Sequence, residues 1–452
     1  MFAVCRPQEP LHNFCRSRRP GPLAVLLGAA ILLFGGCVGE PVPEEVAGSM
    51  DPIAESYVKL VLSVGRLDTD YVDAYYGPQA WRDEAEAGVS SLTQLQARAA
   101  SLSERLAAIP RPADEMEGLR HGYLSTQLGS VAARLRMLAG ETLSFDEESK
   151  ALYDAVAPTN DEAYFQAIVD ELDPLLPGDG SLIDRWSAFR SGFVIPEDRL
   201  DDVFQVAIEA CQQRTAAHLT LPEGELFNLE YVTDKNWSGY NWYQGGYNSL
   251  IQINTDLPIY IDRAIDLACH EGYPGHHVYN MMLEKAMVHD RGWMEFSVYP
   301  LFSPQSLIAE GTANYGIEMA FPGEERIEFE KTVLFPAAGL DAVNAERYYE
   351  VLEAVQRLSY AGNEAARRYL NGEIDADGAA DLLTRFGMMP PERAKQRVGF
   401  IEQYRSYVIN YNLGQDLVRA YVEAAGDDPE TRWAVFEELL SSPRLPSNLA
   451  VD

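Results

Sequence analysis

His270-Glu271-Gly272-Tyr273-Pro274-Gly275-His276-His277 packs three of the chain's seven histidines into eight positions. A single buried histidine is commonly a hydrogen-bonded core side chain. Three beside a glutamate, in a chain of 452 residues otherwise poor in histidine, point to a metal centre. Zinc-hydrolase helices carry His-Glu-x-x-His, whose two imidazoles lie one turn apart on one face. Here the position four after His270 is Pro274, which cannot be a ligand. On an unbroken helix His276 would stand about 600° round, on another face, and His277 about 10.5 Å further along the axis. Neither could share with His270 an ion held about 2.0–2.1 Å from each ring nitrogen.

Pro274 and Gly275 resolve the difficulty. Proline removes a helical hydrogen bond and clashes with the preceding turn, and glycine accepts the backbone angles of a reversal. The helix is therefore expected to break after Glu271 and restart near His276. With two residues looped out, His276 takes the place of the usual second ligand. His277 is the alternative, and whichever of the two does not face the ion orients a ligand or the substrate. Glu271, next to the first ligand, is placed as general base toward an attacking water. A third ligand is sought downstream, where Ser303-Pro304 opens a helix. Glu310 lies there among small residues that permit close approach of another helix. Glu318 is the other acid on that helix, and Asn314 lies one turn from Glu310. His/His/Glu chemistry favours one Zn2+ ion over cobalt or manganese.

His-Glu-x-x-Pro-Gly-His-His followed by Glu-Gly-x-Ala-x-Tyr at 310–315 resembles the bacterial domain-of-unknown-function family 885, zinc-peptidase-like proteins related to the gluzincins, many of them lipoproteins. The resemblance spans about residues 50–440. It implies a mostly helical zincin-like fold and peptidase activity. It also implies metal ligation by His270, one of His276 and His277, and Glu310, with Glu271 as base. The family's late Tyr-x-x-Gly segment is matched by Tyr411-Asn412-Leu413-Gly414. By that resemblance Tyr411 stabilises the oxyanion, with Arg405 as a helper. An ordinary core tyrosine is the competing reading. Thr312 and Asn280 stand where many members have Trp and Gln, which implies an altered pocket shape.

Outward from the motif, Glu225 to Thr233 alternates apolar and polar as a half-buried strand does, and Ser249 to Asn254 reads as a second strand. The aromatic, glycine-rich stretch 236–247 between them reads as a loop. Strand 249–254, through Ser249 and Ile251, is the candidate edge for pairing with an extended substrate. Leu92, Leu95, Ala99, Leu102 and Leu106 make one apolar helical stripe ended by Pro110. Phe204, Ile208, Cys211 and Thr215 make another, and residues 50–220 show no chemistry. The fold class is mainly α, with a small antiparallel β-sheet beside the metal helix. Residues 51–220 form a helical N-terminal region and 221–452 the catalytic region, the two joined in one compact unit.

The start of the chain reads as a leader. Arg16, Arg18 and Arg19 precede an apolar run from Leu23 to Phe34, which ends in Gly35-Gly36-Cys37. The run is shorter than a membrane span requires. Residues 1–37 are read as a lipoprotein signal peptide with Cys37 as the lipidated site, and 38–50 as a tether. An ordinary cleaved signal is the alternative, since Phe34 replaces the usual Leu. The location implied is the bacterial cell envelope, with membrane contact only through the lipid. The net charge of −33 argues against nucleic-acid partners. Past the leader only Cys211 and Cys269 remain; they read as no disulfide framework, and Cys269 as a small core residue.

The sequence therefore points to zinc-dependent hydrolysis of a peptide or small amide. The rival readings are hydrolysis of a small non-peptide amide or ester, and a lipid-tethered binding protein or inactive enzyme with a structural zinc.

Overall fold

The helix that opens at Asp262 runs regularly to Leu267, widens into a π turn over Ala268–Gly272, and stops. Tyr273 is extended and the Tyr273–Pro274 peptide is cis. A new helix, His276–Leu283, then begins. Gly275 makes the reversal possible, because a Cβ on it would lie 1.9 Å from the carbonyl oxygen of His270. No other residue fits there without moving the backbone. The break therefore falls one residue later than the sequence reading places it, after a last turn loosened from four-residue to five-residue hydrogen bonding.

This is a computed structural model in which residues 49–450 are described; the leader, Cys37 and most of the tether lie outside them. The described residues are mainly helical, with five short strands among them: β1 (Val72–Tyr75), β2 (Leu226–Val232), β3 (Gly239–Gly245), β4 (Asn248–Asn254) and β5 (Val298–Pro300). β1 and β5 pair antiparallel. The other three form a sheet in the order β2-β4-β3, with β3 antiparallel and β2 parallel to β4. Two sequence expectations change here. The stretch read as a loop contains β3, whose aromatic residues pack on the pleated surface. And β4, the proposed substrate-pairing strand, is hydrogen-bonded on both sides, so it has no free edge to offer. The edge nearer the broken helix is β3.

In the N-terminal half, Leu95, Ala99, Leu102 and Leu106 are buried on the helix Leu92–Ala107, which Ser91 and Gln94 close with a capping box. That helix packs on Asp51–Val64 and Glu115–Leu138, joining one continuous core that runs through the whole described chain. From Gly48 onward the chain forms one compact unit. Among the described residues no helix is long and apolar enough to cross a membrane.

The helix Pro304–Ala320 is buried along nearly its whole length, which puts Glu310 in the interior at 5% exposure. Its partner is the helix Ile409–Glu423. The two backbones cross at Gly311 and Gly414: a Cβ on Gly311 would lie 2.5 Å from the Gly414 carbonyl oxygen, and one on Gly414 2.7 Å from that of Leu307. The small residue after Glu310 thus allows the close helix approach that the sequence anticipates.

Candidate metal centre

Three side chains from three helical segments meet at one point. His270 Nε2 lies 3.1 Å from His276 Nε2 and 3.3 Å from Glu310 Oε2, and His276 Nε2 lies 3.7 Å from the same oxygen. Ligand atoms about 2.0–2.1 Å from a tetrahedral ion are separated from one another by about 3.3 Å. The donor set and its spacing therefore fit a zinc ion, and Glu310 Oε2 is a buried acceptor with no hydrogen-bond donor among the described residues.

Two of the three are oriented by a neighbour outside the cluster. Asn314 donates its amide to the carbonyl of Tyr411 at 3.0 Å, which turns its Oδ1 toward His270. The Nδ1–H of His270 donates to that oxygen at 3.0 Å, leaving Nε2 with its lone pair at the meeting point. Tyr407 donates to Glu310 Oε1 at 2.7 Å, leaving Oε2 to face the histidines. Burial opposes ionisation of Glu310, but the adjacent His270 and His276 outweigh it and hold its carboxyl well below the usual range. For His276, burial opposes the charge, while the Glu310 carboxylate beside it raises its pKa to about 9.

His277 is not brought to this cluster. It is fully buried, with Nδ1 2.8 Å from Ser249 Oγ on β4 and Nε2 2.9 Å from Glu225 Oε2. Tyr273 also donates to that Glu225 oxygen, at 2.6 Å. The expectation of His277 as a ligand is therefore corrected. The helix restarts at His276, and one residue further round its axis the side chain faces the sheet instead. Glu318 is also remote from the point, engaged by Gln415 and Arg419. Arg405, the anticipated helper, pairs with Glu148 at 2.7 Å. Cys269 is joined to Cys211 in a disulfide, so it offers no thiolate and is not a free core residue.

The cluster lies in the wall of a cleft of about 1480 Å³, lined also by Asp73, Glu271, Tyr411 and residues 236–241, which lead into the start of β3. Glu271 is buried beside the cluster, and its carbonyl accepts from Asn241 at 2.7 Å. Burial raises the pKa of its carboxyl, with His270 and His276 pulling the other way. Tyr411 faces the cleft with its ring 5.8 Å from that of Tyr407, and burial keeps its hydroxyl protonated far above neutral pH. Asn280, one of the two departures from the family pattern, lines the same cleft, whereas Thr312 turns inward and donates to Ile308 at 2.8 Å.

Three contributors escape the sequence reading. Asp73 on β1 accepts from Tyr240 in the cleft, and burial raises its pKa to about 6. Tyr407 holds Glu310. Arg397 lies with its guanidinium 5.6 Å from the Tyr411 ring. Asp73 and Arg397 carry no local motif, and only the fold brings them to the cluster. Tyr407 stands one helical turn before Tyr411, which was the available signal.

No protein-family model and no curated protein matches the chain. Among solved structures, the crystal structure of a presumed lipoprotein from Colwellia psychrerythraea is similar, with a TM-score of 0.46 and 13% identity over 84% of this chain and 79% of that one.

Proposed function

We propose that this protein is a zinc-dependent hydrolase of amide bonds, most simply a peptidase, of the kind its motif resembles. The observation that carries the reading is the convergence of His270 Nε2, His276 Nε2 and the otherwise unpartnered Glu310 Oε2 on one point in a cleft wall, with Glu271 buried alongside. When bound there, zinc would supply a Lewis acid that polarises a carbonyl and acidifies water. The rest is work for the chain's own residues. Glu271 takes the proton of the attacking water and returns it to the leaving amine. The Tyr411 hydroxyl donates to the carbonyl oxygen as negative charge develops on it. Asn314 and Tyr407 keep His270 and Glu310 in register, so little reorganisation is needed as the reaction proceeds.

The cleft volume of about 1480 Å³ and the place of β3 as an edge strand of its sheet support an extended peptide as substrate. The Cys211–Cys269 disulfide supports an oxidising compartment, in keeping with export and anchoring through Cys37 at the cell envelope. The test combines metal analysis with turnover of a peptide mixture. The purified protein should hold one zinc and hydrolyse peptides, and Glu271→Gln should keep the zinc while losing about 10²–10⁴-fold in kcat. A protein without stoichiometric metal, or a Glu271→Gln variant as active as the parent, overturns the reading.

A further inference from the structure

The cleft that holds the cluster is also lined by six arginines, and they fall into two groups. Arg263 pairs with Asp266 at 2.8 Å, Arg326 with Glu330 at 2.7 Å, Arg357 with Glu171 at 2.5 Å and Arg419 with Asp416 at 3.1 Å. Arg393 and Arg397 have no acidic partner among the described residues. Arg393 donates to Gln396 Oε1 at 2.7 Å and to Ser238 Oγ at 3.1 Å, both neutral. Arg397 lies over the rings of Phe400 and Tyr411, 4.5 and 5.6 Å from their centroids.

The chain carries 69 acidic residues against 36 basic ones, so a guanidinium that avoids every carboxylate is not the default outcome of packing. Both arginines lie on the helix Pro391–Tyr404, four residues apart and hence one turn apart on the same face. Sequestering two cations together without a counter-charge is unfavourable. Burial and the neighbouring arginines pull Arg393 down to about 10, and burial pulls Arg397 down as well. Both sit in an open cleft rather than a sealed core, so an entering anion can reach them. A planar carboxylate is the anion a guanidinium fork engages with two parallel hydrogen bonds. Arg397 adjoins Tyr411, so an anion held there lies beside the proposed scissile bond.

We propose that Arg393 and Arg397 bind a carboxylate of the substrate, so that this cleft selects peptides presenting a free carboxylate close to the bond to be cut. The carboxylate comes either from the substrate's C-terminus or from an acidic side chain. The inference rests on the hydrolase reading for its reference to cleavage, but not for the binding of the anion.

Calorimetry on the full Glu271→Gln chain separates the two. The probes are acetyl-Ala-Ala as the free acid, its C-terminal amide, and acetyl-Ala-Asp-amide. The free acid should bind at least about tenfold more tightly than the amide, the scale of a charge-assisted hydrogen-bond pair. Arg397→Gln and Arg393→Gln should each shrink that ratio, with Arg397→Lys retaining part of it. Acetyl-Ala-Asp-amide should follow the free acid if a side-chain carboxylate is recognised, and the plain amide if the C-terminus is. Equal binding of the acid and both amides overturns the proposal. So does failure of all three to bind at millimolar concentration, or an acid preference untouched by either arginine substitution, which would place the carboxylate on the metal. Should the arginine variants misfold, the same probe comparison on the chelator-treated chain with both arginines intact decides, because a preference due to the metal would vanish there and one due to the arginines would remain. Failure of the hydrolase reading would show separately, as absent metal and absent turnover with the carboxylate preference intact.

Discussion

His270 and His276 face one another Nε2 to Nε2 at 3.1 Å, although six positions separate them in the chain. Two imidazole lone pairs cannot approach so closely unless a proton or a cation lies between them, and Glu310 Oε2 completes the same small space. His277, next in sequence, is instead clamped by Ser249 and Glu225. Adjacent histidines should therefore fail in different ways. His276→Ala should weaken zinc binding by more than about 100-fold, beyond the loss seen when only a ligand's supporting residue is removed. His277→Ala should keep stoichiometric zinc but lose about 2–4 kcal/mol of stability, because it opens a cavity at a fully buried position and leaves the buried Ser249 hydroxyl without its partner. Equilibrium dialysis with metal analysis, beside urea unfolding, distinguishes the two. A His277 variant that loses zinc while the His276 variant retains it would reverse the assignment.

The helix crossing behind Glu310 makes a second demand. Gly311 and Gly414 are in backbone contact, so Gly311→Ala forces the helices apart at the place where Tyr407 reaches Glu310. The expected cost is about 1–3 kcal/mol of stability, the range for overpacking, with zinc affinity weakened about tenfold or more through the displaced carboxylate. Gly122→Ala, on the helix Glu115–Leu138 with nothing within 4 Å of its added methyl, is the control and should be neutral or slightly stabilising. Equal thermal shifts for the two variants would show that the close crossing is unimportant.

Much of this site was legible because its signals are local. Pro274-Gly275 forbids a straight helix whatever surrounds it, and a small residue beside Glu310 permits a close neighbour. The choice between His276 and His277 was only partly legible: two looped-out residues favour His276 but leave His277 open. It depends on where the new helix starts, and a shift of one residue turns a side chain by about 100°. The sheet was half legible. Alternation identified β2 and β4, but strand order is a tertiary property, and the aromatic residues of β3 read as loop because glycines surround them. Asp73 and Arg397 come from segments with no motif and reach the cleft only after the chain has folded.

Asp73 gives the fold a pH dependence with a definite sign. Its carboxyl titrates near 3.8 in the unfolded chain and is raised by burial to about 6 in the folded one. Below pH 3.8 both states hold the proton and the group has no effect. Between 3.8 and 6 the unfolded state ionises first, so stability falls as pH rises, and above 6 the penalty is constant. Asp73→Asn keeps an acceptor for Tyr240 and removes the titration. In chelator-treated protein the variant should match the parent near pH 3.5 and exceed it by roughly 1–2 kcal/mol at pH 8, a figure discounted because the cleft is open to water. Unfolding free energies measured at several pH values provide the check. A difference that does not change between pH 3.5 and 8 would remove Asp73 as its cause.

The disulfide ties the metal segment to the helix before the sheet. Cys211 lies on the helix Leu200–Ala216 and Cys269 immediately before His270, 58 positions apart in sequence and with a Cα separation of 5.6 Å. A closed loop of that length stabilises a fold by about 2–4 kcal/mol, chiefly by restricting the unfolded chain. The double variant Cys211→Ala, Cys269→Ala should lose about that much in urea unfolding. The parent protein should lose a similar amount in reducing agent, while the double variant is unaffected by it. Zinc affinity should respond less than stability does, because His270 is held separately by Asn314 and the reversal at Gly275 is fixed by the Cys269 carbonyl rather than its sulfur. If reduction instead released the metal at a denaturant concentration where the fold persists, the bond would be acting on the position of His270 directly, and the independence argued here for the two supports would be wrong.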